Sequence, residues 1–301
     1  MIRELKTFIA VSREGTFAGA AHKIGLTQAA VSAQMHRLED ELGFALFDRQ
    51  GRAAKINARG QQLLLQAQEL IQLYSNLGAT PVANAQAMHI NVGAIATLQR
   101  TILPNALAAF HKACPGCHTR IIPGVSMDML NLVDAGEVDM AAIIRPPFQL
   151  QSELQWQTLA REPFRLIVPS HVTGDDWAQL LSEQPFIRYD RASFGGRLVD
   201  RFLRNMHIGL NEICECDELE TIARLVENGA GVALFPQTAA FTRWPAGIRG
   251  LDLGVHTFYR ETGLLHRQAQ SLAEPVRQLV QFITQSAQQQ QALGASAPSS
   301  R

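Results

Sequence analysis

A chain of 301 residues, of which 47% are hydrophobic, is long enough to bury the cores of two or three domains, and this excludes a wholly disordered protein. Its 27 basic and 27 acidic side chains balance overall, but the first 60 residues carry nine Lys and Arg against six Asp and Glu. A basic N-terminal segment favours a nucleic-acid partner. Because the sequence contains neither a signal peptide nor an apolar run near the roughly 18 residues of a membrane helix, we expect a cytoplasmic protein with no membrane partner.

Two short helices joined by a tight turn are predicted within residues 15–42. Thr16 is a good N-cap for the first helix, Gly25 ends it, and Thr27 caps the second. In the second helix an apolar stripe recurs at spacings of four, three and four residues, at Val31, Met35, Leu38 and Leu42. The pattern predicts a helix-turn-helix whose stripe faces the first helix.

The opposite face of the second helix is small and polar, as a helix that enters the DNA major groove requires. Residues 46–56 then predict a short hairpin with basic side chains, which is typical of the wing in a winged helix-turn-helix. The alternative is an ordinary helical hairpin followed by a solvated charged turn. The predicted DNA-binding residues are Thr27, Gln28, Ala29, Ser32, Ala33, His36, Arg37, Arg49, Arg52 and Lys55.

A third helix is expected over residues 58–77, and its apolar residues follow a coiled-coil spacing. They are Leu63, Ala67, Leu70, Tyr74 and Leu77. The other positions are polar and rich in Gln, so a partner helix is the natural way to bury this seam. We interpret residues 58–80 as a dimerisation helix and residues 81–87 as a hinge. The alternative is packing against the domain that follows this helix in the same chain.

From Met88 the pattern changes to strands that alternate with helices, which predicts an α/β fold with two similar, doubly wound halves. We assign residues 88–286 to this domain and expect a single helix from Leu98 to Lys112 after its first strand. Lobe 1 covers about 88–163 and 263–286, and lobe 2 covers about 164–262. The Gln-rich residues 287–301 are predicted to form a disordered tail.

Four cysteines form two close pairs, Cys114 with Cys117 and Cys214 with Cys216. The first pair spells the C-x-x-C-H motif of haem attachment, but the chain lacks the export signal that such attachment requires. We interpret the first pair as flanking a turn and the second as lying in a strand, with no metal and no cofactor. A redox-responsive role for either pair stays open.

The α/β part lacks the dinucleotide, P-loop, zinc-protease and nucleophile-elbow motifs. Residues 229–231 resemble half of a dinucleotide fingerprint, but they precede a strand instead of following one. The protein is therefore predicted not to be an enzyme, and a small-molecule-binding α/β enzyme is the distant alternative.

The spacing of particular residues in the first 60 positions is specific enough to indicate a family. These residues are Gly15-Thr16-Phe17, Ala20-Ala21, Gln28, Val31-Ser32, Leu38-Glu39, Leu42-Gly43, Leu46-Phe47 and Arg49. With them the chain resembles the LysR-type transcriptional regulators, strongly over the first 60 residues and more loosely, by element order, over the C-terminal half. We assign residues 1–57 to a winged helix-turn-helix DNA-binding domain. It departs from the family pattern at Ala29, where proline is usual, and at residues 57–60, which replace a Thr-x-Ala-Gly motif.

The resemblance implies a winged helix-turn-helix, a linker helix, and an effector domain similar to type 2 periplasmic binding proteins. It also implies double-stranded DNA with an interrupted palindrome as a partner, a homodimer that typically forms a homotetramer, and a small-molecule effector. The function predicted from the sequence is a DNA-binding regulator that responds to such an effector.

Ligands of doubly wound folds bind where the carboxyl ends of strands meet the starts of helices. In lobe 1 these positions are Thr97, Ser126 and Arg145, which the resemblance also marks as effector-binding. Thr97 and Ser126 can alternatively be plain N-caps, but a guanidinium beside helix N-termini favours an organic anion. The residues predicted to close over it from lobe 2 are Tyr189, Ser193, Phe194 and Asp217.

Overall fold

The computed structural model describes residues 1–50, 53–76, 88–268 and 272–295, and these fall into two compact units. The N-terminal unit contains four helices and one hairpin. Its elements are α1 (Ile2–Glu14), α2 (Phe17–Ile24), α3 (Gln28–Leu42), β1 (Phe47–Gln50), β2 (Ala53–Ile56) and α4 (Ala58–Asn76).

The predicted helix-turn-helix is confirmed. The Thr16 hydroxyl accepts a hydrogen bond from Gly19 N at 3.0 Å, and Gly25 ends α2 in the left-handed conformation with φ 68°. Three side chains of the predicted stripe on α3 are buried, Val31 and Leu38 fully so and Met35 nearly so, and Leu42 is half-buried. The sequence reasoning missed the buried polar residue Gln34, whose Oε1 accepts a 2.5 Å hydrogen bond from the Thr7 hydroxyl. This bond satisfies the amide oxygen inside the core.

Helix α4 begins at an asparagine cap. The Asn57 side chain accepts from Gly60 N at 2.9 Å and donates to Ala45 O at 2.8 Å. A Cβ on Gly60 would lie 2.4 Å from Leu46 O, so only glycine fits there without movement of the backbone. Residues 57–60, which depart from the family pattern, therefore provide a helix cap and a close approach of the backbone to Leu46.

The seam predicted on α4 divides into two parts. Ala67 is only 2% exposed and belongs to the core of the N-terminal unit, against which Leu63 also packs. Ala67 therefore has no free surface for a partner, which corrects its assignment to the dimer seam. Leu70 and Tyr74 are 41% and 47% exposed, and Leu77 lies outside the described residues, as does the predicted hinge. A role of the exposed positions in dimerisation stays a prediction.

The second unit alternates strands and helices as predicted. Its elements are β3 (Met88–Ala94), α5 (Ala96–Arg100), α6 (Ile102–Ala113), β4 (Cys117–Pro123), α7 (Ser126–Asp134), β5 (Met140–Ile144), β6 (Leu154–Pro169), α8 (Trp177–Glu183), β7 (Pro185–Tyr189), α9 (Phe194–Met206), β8 (Asn211–Cys216), α10 (Leu219–Glu227), β9 (Ala233–Pro236), β10 (Ile248–Leu251), β11 (Tyr259–Arg267) and α11 (Glu274–Ala295), with 3-10 turns at Ala239–Phe241 and Gly254–His256.

The main sheet has the strand order β10-β6-β11-β5-β3-β4, and β9 also pairs with β6. Strand β3 runs parallel to β4 and β5, whereas β6 and β11 pair antiparallel. The 16-residue strand β6 joins two hydrophobic cores, because its first part pairs with β11 and its last part with β9 and β10. Lobe 1 is built on the core with Ile90, Met140 and Leu264, and lobe 2 on the core with Phe186 and Phe235.

Two local predictions in this unit are wrong. The single helix predicted from Leu98 is broken into α5 and α6 at Thr101, whose hydroxyl donates to Thr97 O at 2.8 Å. The disorder predicted for residues 287–301 is incorrect up to Ala295, because α11 continues through the Gln-rich stretch. Gln290 and Gln291 donate side-chain hydrogen bonds of 2.9 and 2.6 Å to backbone carbonyls of Thr101 and Leu159, respectively. Residues 296–301 lie outside the described part.

Among the described helices, none combines the length and apolarity needed to cross a bilayer.

Candidate functional site

The surface of α3 opposite its buried stripe is open to solvent. Thr27, Gln28, Ala29, Ala33, His36 and Arg37 are exposed and Ser32 is half-buried. Thr27 is the N-cap and accepts from Ala30 N at 3.2 Å. The solvent-facing side of α3 therefore begins at this capped first turn and continues with the short side chains of Ala29, Ser32 and Ala33. Such a face can approach base edges closely without a steric barrier from long apolar side chains.

The β1–β2 hairpin is fixed to the helices by aromatic packing. Phe47 is 4% exposed, and its ring lies edge-on to Phe8 and Phe17 at centroid distances of 5.6 and 5.8 Å. On this hairpin Lys55 is exposed. Arg52 and the side chain of Arg49 lie outside the described part of the chain. This packing holds the described part of the hairpin against the helices, in the position of the predicted wing.

The second unit contains a cavity of about 230 Å³ between its lobes. It lies where β3, β4 and β5 end in lobe 1 and where β7 and β8 end in lobe 2, as expected for this type of fold. The lining residues are Ile95, Ala96, Thr97, Gln99, Pro123, Gly124, Val125, Ser126, Ile144, Tyr189, Ser193, Asp217, Glu218 and Leu219. Five of the seven residues predicted for the effector site are therefore brought together.

Two hydroxyl groups of lobe 1 are held by protein donors. The Ser126 side chain is 4% exposed, and its oxygen accepts from Ile144 N at 3.1 Å. The Thr97 oxygen receives a long contact of 3.5 Å from Arg260 Nη2. Among the described residues neither hydroxyl donates to a protein acceptor, so each can donate its proton to a group in the cavity.

A buried guanidinium that the sequence reasoning missed lies behind the cavity. Arg260 is fully buried, and its Nε donates to Glu162 Oε2 at 2.5 Å across the paired strands β11 and β6. Its Nη1 donates to the Tyr189 hydroxyl at 3.3 Å. Burial opposes the charge of Arg260, but the Glu162 carboxylate outweighs this effect and the pKa of Arg260 is raised. In the sequence, the burial of Arg260 was indicated only by the alternation along β11, which places Arg260 on the same buried face as Leu264.

The pKa of Tyr189 is raised to about 12, chiefly because the phenol is buried. Tyr189 therefore stays neutral at physiological pH. Its hydroxyl accepts a hydrogen bond from Arg260 and also interacts with the Ser193 side chain. Ser193 caps α9 by accepting from Gly196 N at 3.0 Å. Ser193 also donates to Asp190 O at 2.8 Å, so this hydroxyl has a structural role although it lines the cavity.

Two predicted site residues do not line the cavity. Arg145 lies beside Glu261 because Ile144 pairs with Thr262 in the antiparallel register, and its guanidinium forms a 2.7 Å ion pair with that carboxylate. Its side chain is 56% exposed. Phe194 is 3% exposed in the core of lobe 1, edge-on to Phe148 at 5.9 Å. The structure therefore corrects the placement of both residues.

An acidic side chain of lobe 2 faces the cavity. Asp217 follows β8, and its pKa is raised by burial and by the nearby Asp190 carboxylate. Glu218, the next residue, accepts from Arg100 Nη1 at 2.9 Å and from Glu220 N at 3.3 Å at the start of α10. The two carboxylates thus differ, because Glu218 has an arginine partner and Asp217 forms no ion pair among the described residues.

All four cysteines are free thiols. Cys114 donates to Gln278 Oε1 at 3.1 Å, and burial together with Cys114 raises the pKa of Cys117. A raised pKa disfavours the thiolate that redox chemistry needs. In the described part of the chain no three His, Cys, Asp or Glu side chains are grouped to hold a metal ion.

Comparison with known proteins gives two family matches. Residues 2–61 match the model described as bacterial regulatory helix-turn-helix protein, lysR family, and residues 83–288 match the LysR substrate binding domain. Among curated proteins, the chain is 27% identical over 291 residues to the HTH-type transcriptional regulator IlvR of Caulobacter vibrioides, covering 94% of this chain and 97% of that protein.

Solved structures show the same fold. Full-length CbnR in complex with its target DNA superposes with a TM-score of 0.54 at 20% identity, covering 95% of this chain and 99% of that one. The effector-binding domain of QuiR in complex with shikimate gives a TM-score of 0.58 at 14% identity, covering 68% of this chain and 99% of that domain. At these identities the likeness concerns the fold.

Proposed function

The chain belongs to the LysR family of DNA-binding transcriptional regulators, and we propose that a small organic anion in the cavity of its effector domain controls its action on DNA. The observation that carries the proposal is the pair of lobe 1 hydroxyls, Thr97 and Ser126, whose oxygens are occupied by protein donors and whose protons are available to a ligand. Hydroxyl donors that converge on one cavity favour a carboxylate.

The start of α7 adds to this preference. Gly124, Val125 and Ser126 line the cavity at the N-terminus of this nine-residue helix. Free backbone N–H groups and the helix dipole stabilise a negative charge at that end. Shikimate, the ligand in the QuiR domain, is itself a carboxylate, which supports the same ligand class for a domain of this fold.

In the proposed mechanism the regulator is a homodimer, further assembled as a homotetramer, that binds an interrupted palindrome in the cytoplasm. The effector binds one arrangement of the two lobes more tightly than another and so shifts the population of the oligomer. This shift moves the paired helix-turn-helix units relative to each other on the DNA. In this mechanism, regulation arises entirely from the difference in effector affinity between the two arrangements of the lobes.

Replacing Thr97 by Val tests the anion site, because valine keeps the shape of threonine and removes its hydroxyl. Loss of one hydrogen bond to a charged ligand is expected to weaken carboxylate binding about 10–100-fold. The measurement is calorimetric titration of the full chain with a panel of small carboxylates that includes shikimate. Thr101→Val is the matched control, since this hydroxyl bonds to Thr97 O and does not line the cavity. Equal carboxylate affinity in the Thr97→Val and wild-type proteins would rule out the assignment.

Gln28 and Lys55 are proposed to contact DNA in different ways. Gln28→Ala is expected to reduce discrimination at one base pair by about 1–3 kcal/mol, since an amide can pair bidentately with adenine. Lys55→Ala is expected to weaken binding to all duplexes alike and to lower the salt slope by roughly one unit. Binding-site selection from a random duplex library, followed by titrations at several salt concentrations, measures both effects. Unchanged sequence preference in Gln28→Ala would move base recognition elsewhere on α3.

A further inference from the structure

The walls of the cavity differ in charge. Of the described residues that line it, none is Lys, Arg or His, while lobe 2 contributes the carboxylates of Asp217 and Glu218. Lobe 1 contributes the hydroxyl donors Thr97 and Ser126. A simple organic anion satisfies the lobe 1 wall but meets unfavourable charge at the lobe 2 wall, since like charges in a partly desolvated site repel.

Asp217 is less well compensated than Glu218, because its ionised form is favoured by a hydrogen bond with the Ser193 side chain and by the charge of Arg260 but by no ion pair among the described residues. Glu218 is bound by Arg100 and by the start of α10, whereas in the described part of the chain no cationic side chain forms an ion pair with Asp217, which lies near the Asp190 carboxylate. Burial and Asp190 both raise the pKa of Asp217, so the ionised form is held at a cost in the unliganded protein. The buried Arg260 offsets this only in part, because its own partner is Glu162. A cation in the cavity would remove the imbalance.

We propose that the ligand is zwitterionic, an amino acid whose carboxylate is bound by Thr97 and Ser126 and whose ammonium group is bound by Asp217. This inference rests on the proposed function and narrows its ligand class. An ammonium group is preferred over a neutral hydroxyl because hydrogen bonds between two ionised groups are the stronger. Much of the remaining lining is apolar and indicates the side chain of the ligand, with Ile95, Pro123, Val125 and Ile144 in lobe 1 and Leu219 in lobe 2, beside the polar Gln99, Tyr189 and Ser193. The class is therefore an amino acid with an apolar side chain.

Matched probes that differ in one charged group test this assignment. Three amino acids of increasing size, L-alanine, L-leucine and L-phenylalanine, are each compared with the acid that lacks the amine, namely propionate, 4-methylpentanoate and 3-phenylpropionate. Isopentylamine represents leucine without its carboxylate. Calorimetric titration and thermal melting of the full chain measure affinity and stabilisation for each probe.

At least one amino acid is expected to bind the wild-type protein about tenfold or more tightly than its deaminated partner, and isopentylamine is expected to bind weakly. Asp217→Asn is expected to abolish the preference for the amine while leaving the affinity for the deaminated acid unchanged or increased. Asp128→Asn is the control, because this carboxylate is exposed in the first turn of α7 and does not line the cavity. The control is expected to keep the preference.

The outcomes separate this inference from the proposed function. If a deaminated acid binds the wild-type protein as tightly as its amino acid, or if Asp217→Asn keeps the preference, the zwitterion assignment is overturned and the anion site stands. If no carboxylate of either kind binds, both are overturned. If isopentylamine binds as tightly as leucine, the lobe 1 hydroxyls do not bind a carboxylate, and both assignments fail in that case too.

Discussion

Arg260→Met is expected to lower the free energy of unfolding of the effector domain by about 3–5 kcal/mol, because it leaves the Glu162 carboxylate buried without a partner. Glu162 is only 6% exposed, and Arg260 is its partner across β6 and β11. The substitution also removes the donor to Tyr189. Denaturant unfolding followed by tryptophan fluorescence is the measurement, since Trp156, Trp177 and Trp244 all belong to this domain.

The double substitution Arg260→Met with Glu162→Leu is the informative control. Replacing both members of a buried ion pair by apolar residues is often neutral or stabilising, so the double variant should regain most of the stability lost in Arg260→Met. If Arg260→Met unfolds at the same denaturant concentration as the wild type, the ion pair does not hold the two strands together.

Leu70→Lys is expected to separate the proposed dimer and to reduce operator affinity roughly 100-fold or more, since two linked half-sites bind far more tightly than one. Leu70 and Tyr74 expose apolar surface on α4, and burying an unpaired ammonium group there would cost several kcal/mol. Analytical ultracentrifugation and operator titrations measure the two effects. The melting of the folded units should change little, because Leu70 is exposed within its own chain.

Gln61→Lys adds the same charge to the same helix on the opposite side. Nine residues separate positions 61 and 70, which places them about 180° apart around α4. The exposed Gln61 side chain can therefore accept the charge without contact with a partner packed on Leu70. Sedimentation of the Leu70→Lys protein as the wild-type oligomer would place the dimer interface elsewhere.

The elements that could be predicted from sequence are those set by local signals. The helix-turn-helix was predictable because caps, a left-handed glycine and an apolar stripe all lie within a few residues of each other. The position of the cavity was predictable because strand ends and helix starts converge in any doubly wound fold. Thr97, Ser126, Tyr189 and Asp217 line it for that reason.

The misplaced elements depend on partners that are distant in sequence. Arg145 was assigned to the anion because the antiparallel register that puts it beside Glu261 is not visible in the sequence. The role of Arg260 could not be predicted for the same reason, because its hydrogen-bond partners lie in β6, β7 and α5. Composition alone likewise suggested a disordered tail, although the Gln290 and Gln291 amides find backbone acceptors far away along the chain.

The order of strands in the sheet has a consequence for how the domain is made. Strand β5, in the middle of lobe 1, pairs on one side with β11, and α11 packs on the same core, yet both elements follow strands β7 to β10 of lobe 2 in the chain. During synthesis on the ribosome, lobe 1 therefore keeps an unpaired strand edge and uncovered apolar residues until the last helix emerges. Lobe 2, whose strands β6 to β10 are consecutive, is complete earlier. We therefore expect a nascent chain of this protein to complete its second lobe first.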